Sequence, residues 1–468
     1  MPNRWRSIVL GEALFVQTRF VPKIRPMQRL IRRSAFLAAL TIPALGAIAD
    51  PGKPVAVRWW GQAMVSIETY WNLHVVIDPF GAQVGYKDPE LLADLVLISH
   101  EHTDHNNAAA VRGEPVVVRG LDASGKVMPQ KHVLDRLPNA MRPTWTPIMQ
   151  TADSQAKRSG HEIVVTTIPA WHDKEQGADR GATAIFAIDV DGVRIVHSGD
   201  LGQSKLSDEQ REALGRIDVL LIPVGGVFTV DGARAAEIVR ELRPRIVVPV
   251  HYKTPALAFD LHRADAFVEA MKQSGAEISQ PEGNTLAVSA AVDESPSSTR
   301  VVVLGYKPWQ PSGELAELFE RKEAAGSASA EVFRPLSANQ MNFRPSDGTH
   351  TPRWNAEHMM GRELLFFTQI FAERDSAIAP IDLNPAQMPP DYKAAHPDWS
   401  GAEEARQIER ASALVRRFAY LLDGMDLDER APNSRWSLRR LFQQMERHYG
   451  AHTANVKKKF DLPDWPQE

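Results

Sequence analysis

Leu95-Val96-Leu97-Ile98-Ser99-His100-Glu101-His102-Thr103-Asp104-His105 joins an apolar run to three imidazoles and the Asp104 carboxylate. A short, continuous apolar run fits a strand buried on both faces. The polar residues then emerge at the strand end, where sites on α/β sheets are built. If the loop turns sharply, His100 and His102 can face one ion while Asp104 and His105 face a second. Two adjacent ions with nitrogen and oxygen ligands suit zinc, manganese or iron. The alternative is a solvated polar loop with chance histidines.

Residues further along the chain count against chance. His172 in Ala170-Trp171-His172-Asp173, Asp200 in His197-Ser198-Gly199-Asp200, and His251 after Val248-Pro249-Val250 stand singly at strand ends. Across residues 55–289, short β-branched runs alternate with helical stretches. The runs 193–196, 219–222 and 246–250 read as buried strands. Residues 233–242 read as a helix with Ala235, Ile238, Val239 and Leu242 on one face. This alternation predicts an α/β domain.

The pattern changes over 291–330, where Glu294-Ser295-Pro296-Ser297-Ser298 reads as a loop and Gly326-Ser327-Ala328-Ser329 as a flexible stretch. A domain boundary belongs there, with a linker and the start of a first helix. From about residue 331 the periodicity is helical. Ser400-Gly401-Ala402-Glu403 has the form of a capping box. Behind it Ile408, Ala411, Val415, Phe418 and Leu422 make one apolar stripe. A last helix follows from Trp436, with Leu438, Leu441 and Met445 inward. The second domain, 331–468, reads as a four-helix bundle.

A chain of 468 residues accommodates two such domains plus extensions. It contains no cysteine, so disulfides and cysteine-ligated zinc or iron–sulfur centres are excluded. Formal net charge is −4, without the basic excess of a nucleic-acid binder. A small-molecule substrate is expected and a nucleic-acid partner is not. Residues 28–49 read as a secretory leader: Arg29, Arg32 and Arg33, a short apolar run, then Ala47-Ile48-Ala49 as a cleavage site. Residues 1–49 are therefore expected to be a leader region, and Met27 sits where such a leader should begin. The expected location is the periplasm, or the cytoplasm if the leader does not function. The apolar run is too short for a stable membrane span.

The ordered set His-x-His-x-Asp-His, lone His, Gly-Asp and late His resembles the metallo-β-lactamase superfamily over about residues 55–290, within a domain read as 50–290. The resemblance implies an αββα sandwich. It implies that His100, His102 and His172 bind one metal ion, that Asp104, His105 and His251 bind a second, and that Asp200 bridges both. Asp78, in Ile77-Asp78-Pro79, matches an Asp that supports the ligand loop. Gly181-Ala182-Thr183, the segment 189–202 and Gly225-Gly226-Val227-Phe228-Thr229-Val230-Asp231 are similar to the ascorbate-phosphate lactonase branch. That branch often carries Gly-His-Ala after the first strand. This chain has Gly61-Gln62-Ala63, which passes the supporting role there to an amide.

In the bundle, His448 and His452 are four apart on one helix face and continue the stripe of Leu438, Leu441 and Met445. His358 lies on an earlier helix, sharing a face with Trp354, Gly361 and Leu365. Such histidines either form a metal site or are core residues satisfied by hydrogen bonds. The segments Leu336-Ser337-Ala338-Asn339-Gln340, Phe343-Arg344-Pro345 and 350–358 resemble DinB-like four-helix bundles. That resemblance places one divalent ion, zinc or nickel, on His358, His448 and His452, with a first helix that is short or broken at Gly326.

A dinuclear site lowers the pKa of a water, and the hydroxide attacks an acyl or phosphoryl centre. Asp104 or Asp200 orients that nucleophile and shuttles its proton. The expected activity is metal-dependent hydrolysis of an ester, lactone, amide or phosphodiester. The alternative is a bundle that carries the main function, as a metal-dependent thiol transferase or a binding module. Tyr252 and Lys253, next to His251, are candidate substrate contacts. Thr229 and Asp231 line the pocket or cap the following helix. His197 reads as structural, and His74, His132, His161 and His262 as ordinary.

Overall fold

The computed structural model describes residues 53–135, 144–147, 162–290 and 298–467, all within one compact unit. The leader region and His161 lie outside the described residues. Two sheets pack face to face. In spatial order the smaller has Thr285–Val288, Val55–Gly61, Met64–Glu68, His74–Ile77, Leu95–Ile98 and Val116–Arg119. Three antiparallel pairings are followed by two parallel ones. The larger has Glu277–Ser279, Arg300–Val302, Ile246–Val250, Val219–Pro223, Val193–His197, Ala182–Val190, Glu162–Trp171, Gln130–Asp135 and Thr144–Pro147. Its parallel half meets its antiparallel half at Val193–His197.

Period-two alternation sorts the smaller sheet's residues between two cores. Val57, Trp59, Val65, Ile67, Val75, Ile77, Leu95 and Leu97 face the larger sheet. Trp60, Met64, Val76, Val96 and Ile98 face outward beneath Phe80, Tyr86, Leu257 and Leu261. Helices α1 (Asp208–Leu214), α2 (Gly232–Leu242) and α3 (Asp265–Gln273) accompany the larger sheet. Ala235, Ile238, Val239, Phe267 and Met271 join its core. Asp231 is the N-cap of α2, its side chain accepting from Arg234 N at 2.9 Å.

The helical region comprises α4 (Gly313–Phe333), α5 (Ala338–Met341), α6 (Pro352–Arg374), α7 (Gly401–Arg417) and α8 (Leu438–Lys457). The fold is therefore an α/β sandwich of two sheets followed by a helical bundle. Ile408, Ala411, Val415, Phe418, Leu422, Leu438, Leu441 and Met445 are all in the bundle core. Three sequence expectations are revised. Gly326 neither breaks nor shortens the first helix; α4 runs through it, because packing against α7 and α8 outweighs one residue's propensity. Within the stretch 291–330, Arg300–Val302 is a strand of the larger sheet, too short to show a periodic signal. Ser400 is the N-cap of α7 but makes no side-chain capping bond. Glu403 is taken instead by Arg406 and Gln407.

The bundle docks on the smaller sheet. Ala56 and Ala287, on its outer face, belong to the bundle's core. Arg417, at the end of α7, donates from Nε to Glu68 Oε2 at 2.8 Å and from Nη1 to the Thr69 carbonyl at 2.8 Å. Burial pushes the Glu68 carboxyl up, but Arg417 and Arg58 outweigh it and hold it down at about 2.

Candidate metal centres

Strand ends of both sheets deliver the histidines and aspartates to one place. Leu95–Ile98 leads into His100, His102, Asp104 and His105. Glu162–Trp171 ends before His172, Val193–His197 precedes Asp200, and Ile246–Val250 ends before His251. Donor atoms of His100, His102 and His172 lie within 4.8 Å of one another, as do those of Asp104, His105 and His251. His100, His105 and Asp200 form a third such group, so Asp200 joins the other two.

Asp200 Oδ2 is the focus. It lies 3.2 Å from His251 Nε2, 3.3 Å from His105 Nε2, 3.3 Å from His172 Nε2 and 3.8 Å from His100 Nε2. Two ligands bonded at about 2.0–2.1 Å to one tetrahedral ion sit about 3.3 Å apart. The spacing therefore fits ions held between these atoms. His105 Nε2 and Asp200 Oδ1 are buried without a hydrogen-bond partner, as donors reserved for a metal would be.

The electrostatics ask for positive charge at the same point. Burial pushes His105 down, but Asp200, Asp104 and Asp78 outweigh it and raise it well above the usual range. Burial pushes Asp200 up, but His105 and His251 hold it well below. Burial and the neighbouring His105 push His100 well below the usual range, leaving it neutral as a ligand must be.

A second layer of contacts orients the ligands. Asp78, fully buried, accepts from Ser99 N and Ser99 Oγ, both at 2.7 Å, and lies 3.1 Å from His105 Nδ1. Ser99 Oγ is also 2.9 Å from His100 Nδ1. Gln62 Nε2 donates to Asp104 Oδ2 at 2.9 Å. Gly199 holds φ +53, and a Cβ there would lie 2.5 Å from Thr183 Oγ1 and 2.8 Å from the Ala184 carbonyl. Only glycine carries the chain into Asp200 without moving those neighbours.

Other candidates sort by their contacts. His197 is fully buried, with Nε2 2.8 Å from the Ala63 carbonyl and Nδ1 accepting from Gly199 N, so it props the Asp200 turn. Tyr252 and Lys253, the candidate substrate contacts, both engage protein groups. Tyr252 stacks on Trp59 at 4.9 Å, and Lys253 Nζ donates to the Leu257 and Phe259 carbonyls. Asp173 is a feature that sequence reasoning missed. Its carboxylate accepts from the backbone N–H of Glu175, Gly177, Asp179 and Arg180 and shapes the loop after His172. The spacing of Asp173 to Gly177 was its only signal. A cavity of about 570 Å³ opens beside this loop, lined by Asp173, Arg180, Gly202, Val227, Phe228 and His262 among others. Thr229 and Asp231 line it as well.

In the bundle, His358 on α6 meets His448 and His452 on α8, with donor atoms within 4.8 Å of one another. His452 Nδ1 is 2.7 Å from Asn355 Oδ1, which leaves Nε2 free. His358 Nδ1 and His448 Nε2 are buried without partners. Trp354 stacks on His358 at 4.5 Å and also contacts His350. Burial, with the neighbouring imidazoles, pushes His448 down to about 3 and His452 to about 4, so both are neutral near pH 7. Asn355 was not legible as a site residue, because its contact with His452 depends on the pairing of α6 with α8.

Comparison with known proteins matches the same division. A model of the beta-lactamase superfamily domain matches residues 56–251, and one of the DinB superfamily matches residues 322–456. A UPF0173 metal-dependent hydrolase of Thermococcus onnurineus is 34% identical over 214 residues, 44% of this chain and 88% of that protein. One of Archaeoglobus fulgidus is 30% identical over 233 residues, 47% of this chain and 93% of that protein. A crystal structure of a metallo-β-lactamase superfamily protein from Thermotoga maritima aligns with TM-score 0.35 and 26% identity, over 53% of this chain and 98% of that one.

Proposed function

The chain belongs to the metal-dependent hydrolases of the metallo-β-lactamase superfamily and carries a DinB-superfamily domain, and from that premise we propose that it cleaves an ester, lactone, amide or phosphodiester bond of a small molecule at a dinuclear centre. The observation that carries the reading is the convergence of four imidazole nitrogens on Asp200 Oδ2 at 3.2–3.8 Å. His100, His102 and His172 would hold one divalent ion, Asp104, His105 and His251 the other, and Asp200 would bridge them. Zinc, manganese and iron all suit these donors. When bound, the ions supply a hydroxide near neutral pH and polarise the bond under attack. Asp200, held ionised by His105 and His251, is one carboxylate able to orient the attacking water. Asp104, more exposed than Asp200, is the other carboxylate able to orient that water. The cavity beside the loop after His172 would seat the substrate, with Val227 and Phe228 as exposed apolar groups in its lining.

A second reading rests on His358, His448 and His452. Their unpartnered nitrogens and the Asn355 contact favour one divalent ion, zinc or nickel, in the bundle. The bundle would then act as a thiol transferase or binding module. The test is bound metal per full-length chain by mass spectrometry, with hydrolysis of lactones and phosphodiesters followed in parallel. Three ions are expected, falling by two in His102→Ala with His105→Ala and by one in His448→Ala. Unchanged hydrolysis in His448→Ala would make the bundle independent, and its loss would couple the two. A wild type that keeps no metal after supplementation would reject the hydrolytic reading. Export through the N-terminal leader is proposed alongside. Among the described residues no helix is long and apolar enough to cross a membrane.

A further inference from the structure

Gln62 is fully buried at the turn between Val55–Gly61 and Met64–Glu68, with φ +47. A non-glycine residue in that region is uncommon. Its backbone carbonyl accepts from Trp59 Nε1 at 2.8 Å and from His251 N at 2.8 Å. Its side-chain Nε2 donates to Asp104 Oδ2 at 2.9 Å. The opposite orientation of the amide would set two oxygens at that distance, so the donor assignment follows from the network. Oε1 is buried with no donor. A buried carbonyl oxygen left unpaired is costly, and the one side-chain bond it is retained for goes to Asp104.

One residue outside the ligand set therefore holds two of the three donors of one group, Asp104 through its side chain and His251 through its backbone. Among the described residues, none of its hydrogen bonds reaches His100, His102 or His172; His100 Nδ1 lies 2.9 Å from Ser99 Oγ, and His102 Nδ1 lies 3.0 Å from His100 Nε2. We propose that Gln62 is the positioning residue of the Asp104–His105–His251 ion alone, so that the two ions of the centre depend on it unequally. This rests on the dinuclear reading above. The neutral amide suits the task. It donates to a carboxylate and carries no charge that would compete with a cation for the same oxygens.

The test uses the full-length chain loaded with metal and titrated with a chelator, with released ions counted by mass spectrometry. In Gln62→Met, which keeps the length and removes the donor, one ion should leave at about 10–100-fold lower chelator concentration than in the wild type. The remaining ions should leave as before. Should the Met variant not fold, Gln62→Leu, of similar volume and equally without a donor, repeats the measurement. Retention of every ion at wild-type affinity would overturn the proposal. Parallel weakening of both ions of the centre would also overturn it, by showing a general structural role. A wild type that never holds two ions at this centre would instead reject the dinuclear reading, and the proposal with it.

Discussion

Replacing Arg417 with Met should loosen the seam between sheet and bundle by about 3 kcal/mol. The Arg417 side chain is 4% exposed and that of Glu68 14%, so the pair is largely removed from water. Breaking a buried pair by deleting one partner costs about 3–5 kcal/mol, because the other charge stays behind uncompensated. Arg58, 3.0 Å from Glu68, remains, which favours the lower end of that range. The pKa argues for the same size. Holding Glu68 at about 2 against an ordinary 4.5 corresponds to about 3 kcal/mol of interaction with its cations. The sign follows from a depressed carboxyl: this stability is present in full above pH 4.5 and is lost as pH falls toward 2. Chemical denaturation at pH 7 and at a series of lower pH values measures both effects. The deficit of Arg417→Met should be largest at pH 7 and shrink on acidification, as Glu68 takes up a proton in the variant. Adding Glu68→Gln should recover part of the loss. A deficit under about 1 kcal/mol at pH 7, unchanged with pH, would refute the reasoning, since exposed pairs are worth no more than that.

Gly199→Ala should cost at least about 1–2 kcal/mol from its left-handed backbone alone, and more from the contact with the Ala184 carbonyl. Thermal melting and metal content should fall together, because Asp200 follows directly. Asp78→Ala removes the acceptor of Ser99 and the partner of His105, and metal affinity should drop by about 10–100-fold in a chelator competition. Asp231→Ala removes the cap of α2 and should lower stability by about 1 kcal/mol in denaturant titrations, with bound metal unchanged.

The ligand loop at 100–105 was legible because its donors sit within one turn of each other directly after an apolar strand. His172, Asp200 and His251 were legible as lone polar residues at strand ends, and the family resemblance arranged them in order. The α2 cap and the α7 and α8 stripes were legible for the same local reason: capping and periodicity act within a few residues. Misreadings arose where long-range packing overrode local signals. Gly326 is tolerated inside α4 by contacts from α7 and α8, and Arg300–Val302 pairs into the larger sheet from a stretch without a periodic signal.

The sequence alone thus determined two domain types, an inventory of metal donors and the order in which strands present them, because each is written in neighbouring residues or in spacing along the chain. Only the tertiary structure decided that Gln62 supports Asp104 and His251, that Asn355 orients His452, and that Arg417 closes on Glu68. Those partners are separated by 42 to 349 positions, and no local preference brings such residues together before the sheets and helices pack.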